Sequence, residues 1–139
     1  MKVLLAEDGG NFDQYESRPI AYRMSGKCWV NNHAHVIRSR GKCDQDFIFF
    51  SLVHKNIVPY ISGGTRAKLT RNELNTIPLG LPPNMHEQKL IAKTLSDIFE
   101  LEIKIENLIG KKRNFMQGTM QKLLTGKTRL PGFTGEWEN

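Results

Sequence analysis

A short stretch of the chain holds side chains that could bind a metal ion. Zinc is held by cysteine sulfur and histidine nitrogen, and a metal-dependent nuclease would also need carboxylates close by. The spacing Cys-x4-His-x-His-x7-Cys matches no standard zinc pattern, which favours hydrogen-bonding histidines and no bound metal. A histidine-based metallonuclease stays open as an alternative. The side chains concerned are Cys28, His33, His35 and Cys43, with Asp44 and Asp46 as the local carboxylates.

The charge of the chain suits an anionic partner. Its 139 residues have a formal net charge of +6, with 39% hydrophobic and 24% charged residues, as in ordinary soluble globular proteins. Residues 1–83 hold eleven Lys/Arg and seven Asp/Glu, a net charge of +4, whereas residues 84–125 carry +2 and residues 126–139 carry zero. The excess therefore lies mainly in the N-terminal part.

Several classes of protein are disfavoured. The longest apolar run, 47–50, is too short to span a bilayer, and the first residues do not form a signal peptide. We therefore expect a cytoplasmic protein with free thiols and no membrane partner. No Gly-rich nucleotide-binding turn follows a strand, so we expect neither S-adenosylmethionine nor another cofactor.

The N-terminal part reads as short strands and turns. Alternation over Lys27–Arg40 predicts a strand. A short helix is predicted over Asp46–Ile57, with Phe47, Phe50 and His54 or their neighbours on its apolar face. The apolar run 47–50 would equally suit a buried strand. Thr70 and Glu73 have the spacing of a capping box, which predicts one helical turn before a short strand over Ile77–Leu81.

A long helix is the strongest physical signal in the sequence. Pro82 and Pro83 end the preceding strand, and Asn84 is suited to be an N-cap with Glu87 as its partner. No proline follows before Gly126, where the helix is expected to stop. About 40 residues at 1.5 Å each give a helix of about 60 Å. Such a helix cannot bury its apolar stripe against so small a domain, which predicts an antiparallel partner helix, most simply from a second copy. The stripe contains Ile91, Leu95, Ile98, Leu101, Ile105, Leu108 and Phe115.

Several strings resemble the specificity subunits of Type I restriction–modification enzymes. Residues 29–36 (WVNNHAHV) are similar to a strand of their target-recognition domains, and residues 63–69 (GGTRAKL) to the loop that follows. Residues 77–92 resemble the entry into the family's spacer helix, and residues 111–127 its exit. The order and spacing of these strings cover almost the whole chain.

The resemblance implies an α+β fold and a non-catalytic role. Residues 1–83 would be a partial target-recognition domain, 84–125 a spacer and dimerisation helix, and 126–139 a C-terminal tail. Full-length members have two recognition domains, so a chain of half length would bind a split double-stranded DNA target as a homodimer, beside methylation and restriction subunits. An oligomerisation module without its own DNA binding is the rival interpretation.

The resemblance also assigns a role to the cations of the N-terminal part. Glycines let a backbone approach phosphates, and flanking cations neutralise them, whereas asparagine amides can read an adenine edge. Singly, each residue is more simply a solvated charge or a turn residue, but inside a recognition domain the group favours DNA contact, mostly to the backbone. The candidates are Asn31, Asn32, His33, His35, Arg38, Arg40, Gly63, Gly64, Thr65, Arg66, Lys68 and Arg71.

Overall fold

The computed structural model describes residues 1–63 and 66–138. The fold is α+β, as predicted. The chain divides into two compact units, Met1–Ser96 and Asp97–Asn139. The first unit contains two 3-10 turns, Phe12–Gln14 and Val58–Tyr60, and the named elements are β1 (Lys2–Ala6), β2 (Ala21–Met24), β3 (Ala34–Ile37), α1 (Gln45–Leu52), α2 (Arg71–Leu74) and α3 (Met85–Leu123).

A three-stranded antiparallel sheet forms the centre of the first unit. The strand order is β2-β1-β3, with Leu4 of β1 opposite Tyr22 of β2 and Val36 of β3. Side chains alternate across the strand, so Val3 and Leu5 point together into the core, where α1 lies. Since β2 and β3 both run antiparallel to β1, the segment between them, residues 25–33, crosses from one end of the sheet to the other.

Two predicted strands differ from the structure: one is shorter than predicted, and the other does not form. The strand predicted over Lys27–Arg40 is limited to β3, because β1 is only five residues long and offers no further ladder. Ahead of β3, the Asn31 Oδ1 atom accepts from the His33 backbone N–H at 3.2 Å, a local bond that replaces strand pairing. The predicted strand Ile77–Leu81 does not form. It contains Pro78, which cannot donate to a ladder.

A helix is confirmed where Asp46–Ile57 was predicted to form one, but α1 spans Gln45–Leu52 and ends before the predicted Ile57; the strand alternative for residues 47–50 is wrong. Asp44 caps the helix by accepting from the Phe47 N–H at 2.9 Å. The predicted apolar face is only partly correct, because His54 lies beyond the helix and is exposed, and Phe50 is half-buried. The helix is instead covered on several sides, and its buried residues are Phe47, Ile48, Phe49 and Leu52.

The capping box is confirmed at α2. Thr70 Oγ1 accepts from the Glu73 N–H at 3.4 Å, and the Glu73 carboxylate accepts from the Thr70 N–H at 2.7 Å. Hydrogen bonding with the Thr70 side chain, and then with Ser62, lowers the pKa of Glu73. Arg71 is therefore held at the first position of a short but well-capped turn.

The long helix is confirmed as α3, which continues from the first unit into the second. Asn84 Oδ1 caps it by accepting from the His86 N–H at 2.8 Å. Gln88 is 2% exposed; its Oε1 accepts from the Asp44 N–H at 2.8 Å and its Nε2 donates to the Pro82 carbonyl at 2.7 Å. Ala92, one turn further on, is also buried. A polar and small-residue side of α3, rather than its apolar stripe, therefore packs on the first unit.

The predicted helix stop is also confirmed. Gly126 has φ +70, the left-handed conformation that glycine adopts at helix ends, and its N–H donates to the Leu123 carbonyl at 3.3 Å. Beyond it, the Arg129 guanidinium lies 5.6 Å from the Trp137 ring centroid. Among the described residues, no helix has the length and apolarity needed to cross a membrane.

Candidate nucleic-acid interface

Three of the candidate basic side chains lie against two carboxylates at the end of β1. His33 Nδ1 lies 3.1 Å and Arg66 Nη2 lies 3.0 Å from Asp8 Oδ1, and Lys68 Nζ lies 3.0 Å from Glu7 Oε1. The Asp8 side chain is 13% exposed, whereas Arg66 is 69% exposed. We call these five residues the Asp8 cluster.

Backbone pairing brings the Asp8 cluster together. The Glu7 N–H donates to the His33 carbonyl at 2.8 Å, and the Leu69 N–H donates to the Glu7 carbonyl at 2.7 Å. Ser62 and Lys68 exchange backbone bonds of 2.8 and 2.9 Å, which closes the loop between them. Gly63 has φ +99 in this loop, a conformation that L side chains rarely adopt. The candidates Gly64 and Thr65 lie outside the described residues.

The electrostatics of the Asp8 cluster favour an ionised carboxylate. The hydrogen bond with His33, together with the Arg66 guanidinium, lowers the pKa of Asp8. The charge of Arg66 is thus balanced by a nearby carboxylate, which is also hydrogen-bonded with His33. A phosphate that approached these two side chains would meet Asp8 as well.

The other three candidate arginines surround a cleft with a different character. Arg38, Arg40 and Arg71 line a cleft of about 540 Å³ beside β3, which we call the arginine cleft. In residues 1–63 and 66–138, no ion pair involves any of the three. No carboxylate is among its lining residues, which also include Ala34, His35, Val36, Ile37, Leu52, Leu74, Asn75, Ile77 and Leu79.

The remaining candidates show mostly local roles. His35 Nε2 lies 2.7 Å from the Leu69 carbonyl, so its ring links β3 to the segment before α2. Asn31 forms the turn before β3, and Asn32 is exposed in the same turn. His35 and Asn31 thus make the hydrogen bonds that the simpler interpretation of each predicts. Asn31 and Asn32 are both exposed, and the Asn31 Oδ1 atom is already used in the turn.

The cysteines and histidines do not gather around a common point. Cys28 Sγ lies 3.6 Å from Lys2 Nζ, and Cys43 offers its carbonyl to Ser39. Among the described residues, no group of three or more His, Cys, Asp or Glu side chains is placed to hold a metal ion. The arrangement gives no support to the metallonuclease alternative.

Two features had no signal in the sequence: the acidic half of the Asp8 cluster and the contacts of Arg23. Glu7 and Asp8 directly follow β1, a position that signals a functional or structural acid only once the strand is placed. The Arg23 guanidinium lies 4.4 and 4.5 Å from the ring centroids of Phe49 and Phe50. It also lies 3.2 Å from Asp46 and donates to Ser96 at 3.1 Å. Arg23 therefore joins β2, α1 and the first part of α3, and no local sequence pattern indicates this.

The fold and the two groups of basic side chains define a basic α+β module whose chain continues into a long helix. Comparison with known proteins shows the family to which this module belongs. The family described as Type I restriction modification DNA specificity domain matches residues 19–112. The chain belongs to this family, and the predicted resemblance is confirmed.

Two relatives place the match within longer proteins. A type I restriction enzyme specificity subunit of Haemophilus influenzae is 37% identical over 99 residues, which cover 71% of this chain and 25% of the relative. The MjaX specificity subunit of Methanocaldococcus jannaschii is 35% identical over 108 residues, which cover 74% and 24%. The chain thus spans about a quarter of the length of these relatives. No solved structure matches it.

Proposed function

We propose that this chain supplies DNA-sequence specificity to a Type I restriction–modification system. The first unit would bind one half of a split duplex target. Methylation and cleavage would belong to partner subunits that dock on the assembly, so the chain itself is not an enzyme. Membership of the specificity family supports this role, and the arginine cleft is the observation that carries it.

The arginine cleft has the chemistry that a DNA backbone requires. Arginine presents a planar fork of donors that matches phosphate oxygens and keeps its charge at any cellular pH. Three such groups around one open cleft, whose described lining contains no carboxylate, form a local positive field. Phosphate contacts of this kind supply most of the affinity for duplex DNA. The amide of Asn32 and the cations of the Asp8 cluster would add contacts at the margin of this surface.

The test is salt-dependent binding to duplex DNA. The purified chain is titrated into duplexes of randomised sequence at several salt concentrations, and the duplexes it retains are sequenced. We expect the logarithm of the association constant to fall linearly with the logarithm of the salt concentration, and a short half-site to be enriched. Absence of binding at about 50 mM salt would contradict the proposal.

A specific observation also supports pairing of α3. Its apolar stripe is exposed, from 37% at Ile91 to 77% at Phe115. We propose that the stripe pairs antiparallel with the α3 of a second copy, giving a homodimer that reads a symmetric split site. The proposed pairing residues are Ile91, Leu95, Ile98, Leu101, Ile105, Leu108 and Phe115.

Charge placed in the stripe tests the pairing. Replacing Ile105→Asp and Leu108→Asp together should give a monomer of lower helicity, measured by sedimentation and circular dichroism. The matched control, Asn107→Asp with Asn114→Asp, adds the same charge without removing apolar side chains and should remain a dimer. A monomeric unmodified protein would contradict the pairing. A dimer that does not bind DNA would instead support the oligomerisation module.

A further inference from the structure

The crossover, residues 25–33, contacts the outer side of the sheet, opposite the core, at the start of β1. Lys2 alternates with the buried Val3 on β1 and therefore points away from the core. Its Nζ lies 3.6 Å from Cys28 Sγ, so the crossover meets this outer side beside Lys2, while Tyr22 and Val36 on the same face stay exposed. The turn at Gly26, with φ +75, starts it, and the bond between Asn31 and the His33 N–H ends it.

Trp29 projects from the crossover into solvent. It is 98% exposed, whereas its neighbours Cys28 and Val30 are half-buried. Leaving so large an apolar ring in water is unfavourable, and tryptophan is the residue type most enriched among the energetically dominant residues of interfaces. Since the crossover is held at both of its ends and at Cys28, the exposure of Trp29 follows from the conformation of the segment.

The surroundings of the crossover indicate an anionic partner. A second cleft, of about 280 Å³, is lined by Met1, Lys2, Met24, Gly26 and Arg38. Arg38 also lines the arginine cleft, so the two clefts share this residue. Lys27 follows Gly26 and is exposed. The cations of the arginine cleft therefore continue through Arg38 and Lys2 to the crossover, and no carboxylate is among the described residues that line either cleft.

We infer that the DNA-binding surface extends from the arginine cleft to the crossover, and that Trp29 contacts the DNA. Lys2, Lys27 and Arg38 bind phosphates, while the Trp29 indole lies against sugars and base edges in a groove. Apolar side chains placed in a groove are an established way of adding affinity beside phosphate contacts. This inference rests on the proposed function, and it adds Lys2, Lys27 and Trp29 to the contact residues expected from the sequence.

Tryptophan emission reports the contact directly. The chain has two tryptophans, so Trp137→Phe leaves Trp29 as the reporter and Trp29→Phe leaves Trp137. Titration with randomised duplex DNA, followed by the duplexes the protein enriches, should quench the Trp29 emission and shift it to shorter wavelength as the indole leaves water. The Trp137 emission should not change, which controls for absorption by the DNA.

Affinity and salt dependence separate the aromatic contact from the ionic one. Trp29→Ala should lower the affinity roughly tenfold without changing the salt slope or the circular dichroism spectrum. Lys27→Ala should reduce the slope by about one.

DNA binding by the unmodified protein with an unchanged Trp29 emission, or with an unchanged affinity of Trp29→Ala, would overturn this inference and leave the proposed function intact. A Trp29 emission that responds to a methylation subunit but not to DNA would also overturn it. Absence of DNA binding would overturn both.

Discussion

The Asp8 cluster and the arginine cleft lie in the same unit and contain the same number of candidate cations. In the Asp8 cluster, His33, Arg66 and Lys68 lie about 3 Å from carboxylate oxygens. In the arginine cleft, the lining residues include no carboxylate. The position of the acids, rather than the number of basic side chains, is therefore the basis on which we propose the arginine cleft as the phosphate site.

The two groups differ in their acids because of where their residues lie relative to the C-terminal end of β1. Glu7 and Asp8 follow the strand and meet the residues before β3 and the segment 66–69 through backbone bonds. Arg38 and Arg40 follow β3, and Arg71 starts α2. We therefore expect the arginine cleft to make the main phosphate contacts, and the Asp8 cluster mainly to stabilise the fold and to add only marginal contacts.

The largest expected effect is the loss of the arginine cleft. Replacing Arg38, Arg40 and Arg71 together by Ala should reduce the salt slope of DNA binding by about 2.7, because each phosphate contact contributes roughly 0.9. At about 0.1 M salt this corresponds to a loss of affinity on the order of several hundredfold. Fluorescence anisotropy with a labelled duplex measures both quantities.

The Asp8 cluster supplies the control for this variant. Replacing Arg66 and Lys68 by Ala should change the affinity by roughly tenfold or less, which is the effect of about one phosphate contact. Circular dichroism should show that both variants are folded. Equal losses in the two variants would contradict the distinction between the two groups.

The next effect is a gain of affinity on removing Asp8. The substitution Asp8→Asn keeps the shape of the side chain but frees Arg66 and His33 from a negative charge. The salt slope should steepen by about one and the affinity at about 0.1 M salt should rise roughly tenfold. Asp13→Asn, at an exposed acid outside the cluster, removes the same charge. A similar gain in both variants would mean that only net charge matters.

A smaller effect is expected from the cap that holds Arg71. Thr70→Ala removes the acceptor of the Glu73 N–H and should lower the free energy of unfolding by about 1 kcal/mol, measured by urea denaturation. DNA affinity should fall by less than in the triple arginine variant, since Arg71 is loosened rather than removed. Thr70→Ser restores the hydroxyl and should recover most of both losses; failure to recover would show that the cap is not the cause.

The sequence predicted the elements whose signals are local. The capping box at Thr70, the start of α3 at Asn84 and its end at Gly126 depend on hydrogen bonds within a few residues. The strand over Lys27–Arg40 was overextended because period-two alternation does not reveal how long the neighbouring strand is. The crossover has the same alternation of side chains, but no neighbouring strand pairs with it.

The candidate site was predictable only as a set of residue types. The six cations could be named from the sequence, but Asp8 is 25 residues from His33, so their pairing depends on β1 and β3 being neighbours. The role of Gln88 could not be predicted for the same reason. In the sequence it is an ordinary polar residue of a helix, and only the structure shows its bonds to the Asp44 N–H and the Pro82 carbonyl. Both cases are tertiary contacts that no local pattern encodes.

The smallest expected effect is on the stability of the fold at acid pH, which again distinguishes the Asp8 cluster from the arginine cleft. The folded-state pKa values of Asp8 and Glu73 lie below their ordinary values of 3.8 and 4.5. Their contribution to stability is therefore complete above those values and is lost as the pH falls through the depressed folded-state values. Asp8→Asn should flatten the acid limb of a plot of unfolding free energy against pH. No carboxylate is among the described residues that line the arginine cleft, so the triple arginine variant should keep the slope of the unmodified protein. A flattened limb in that variant would show that the cleft is linked to an acid after all.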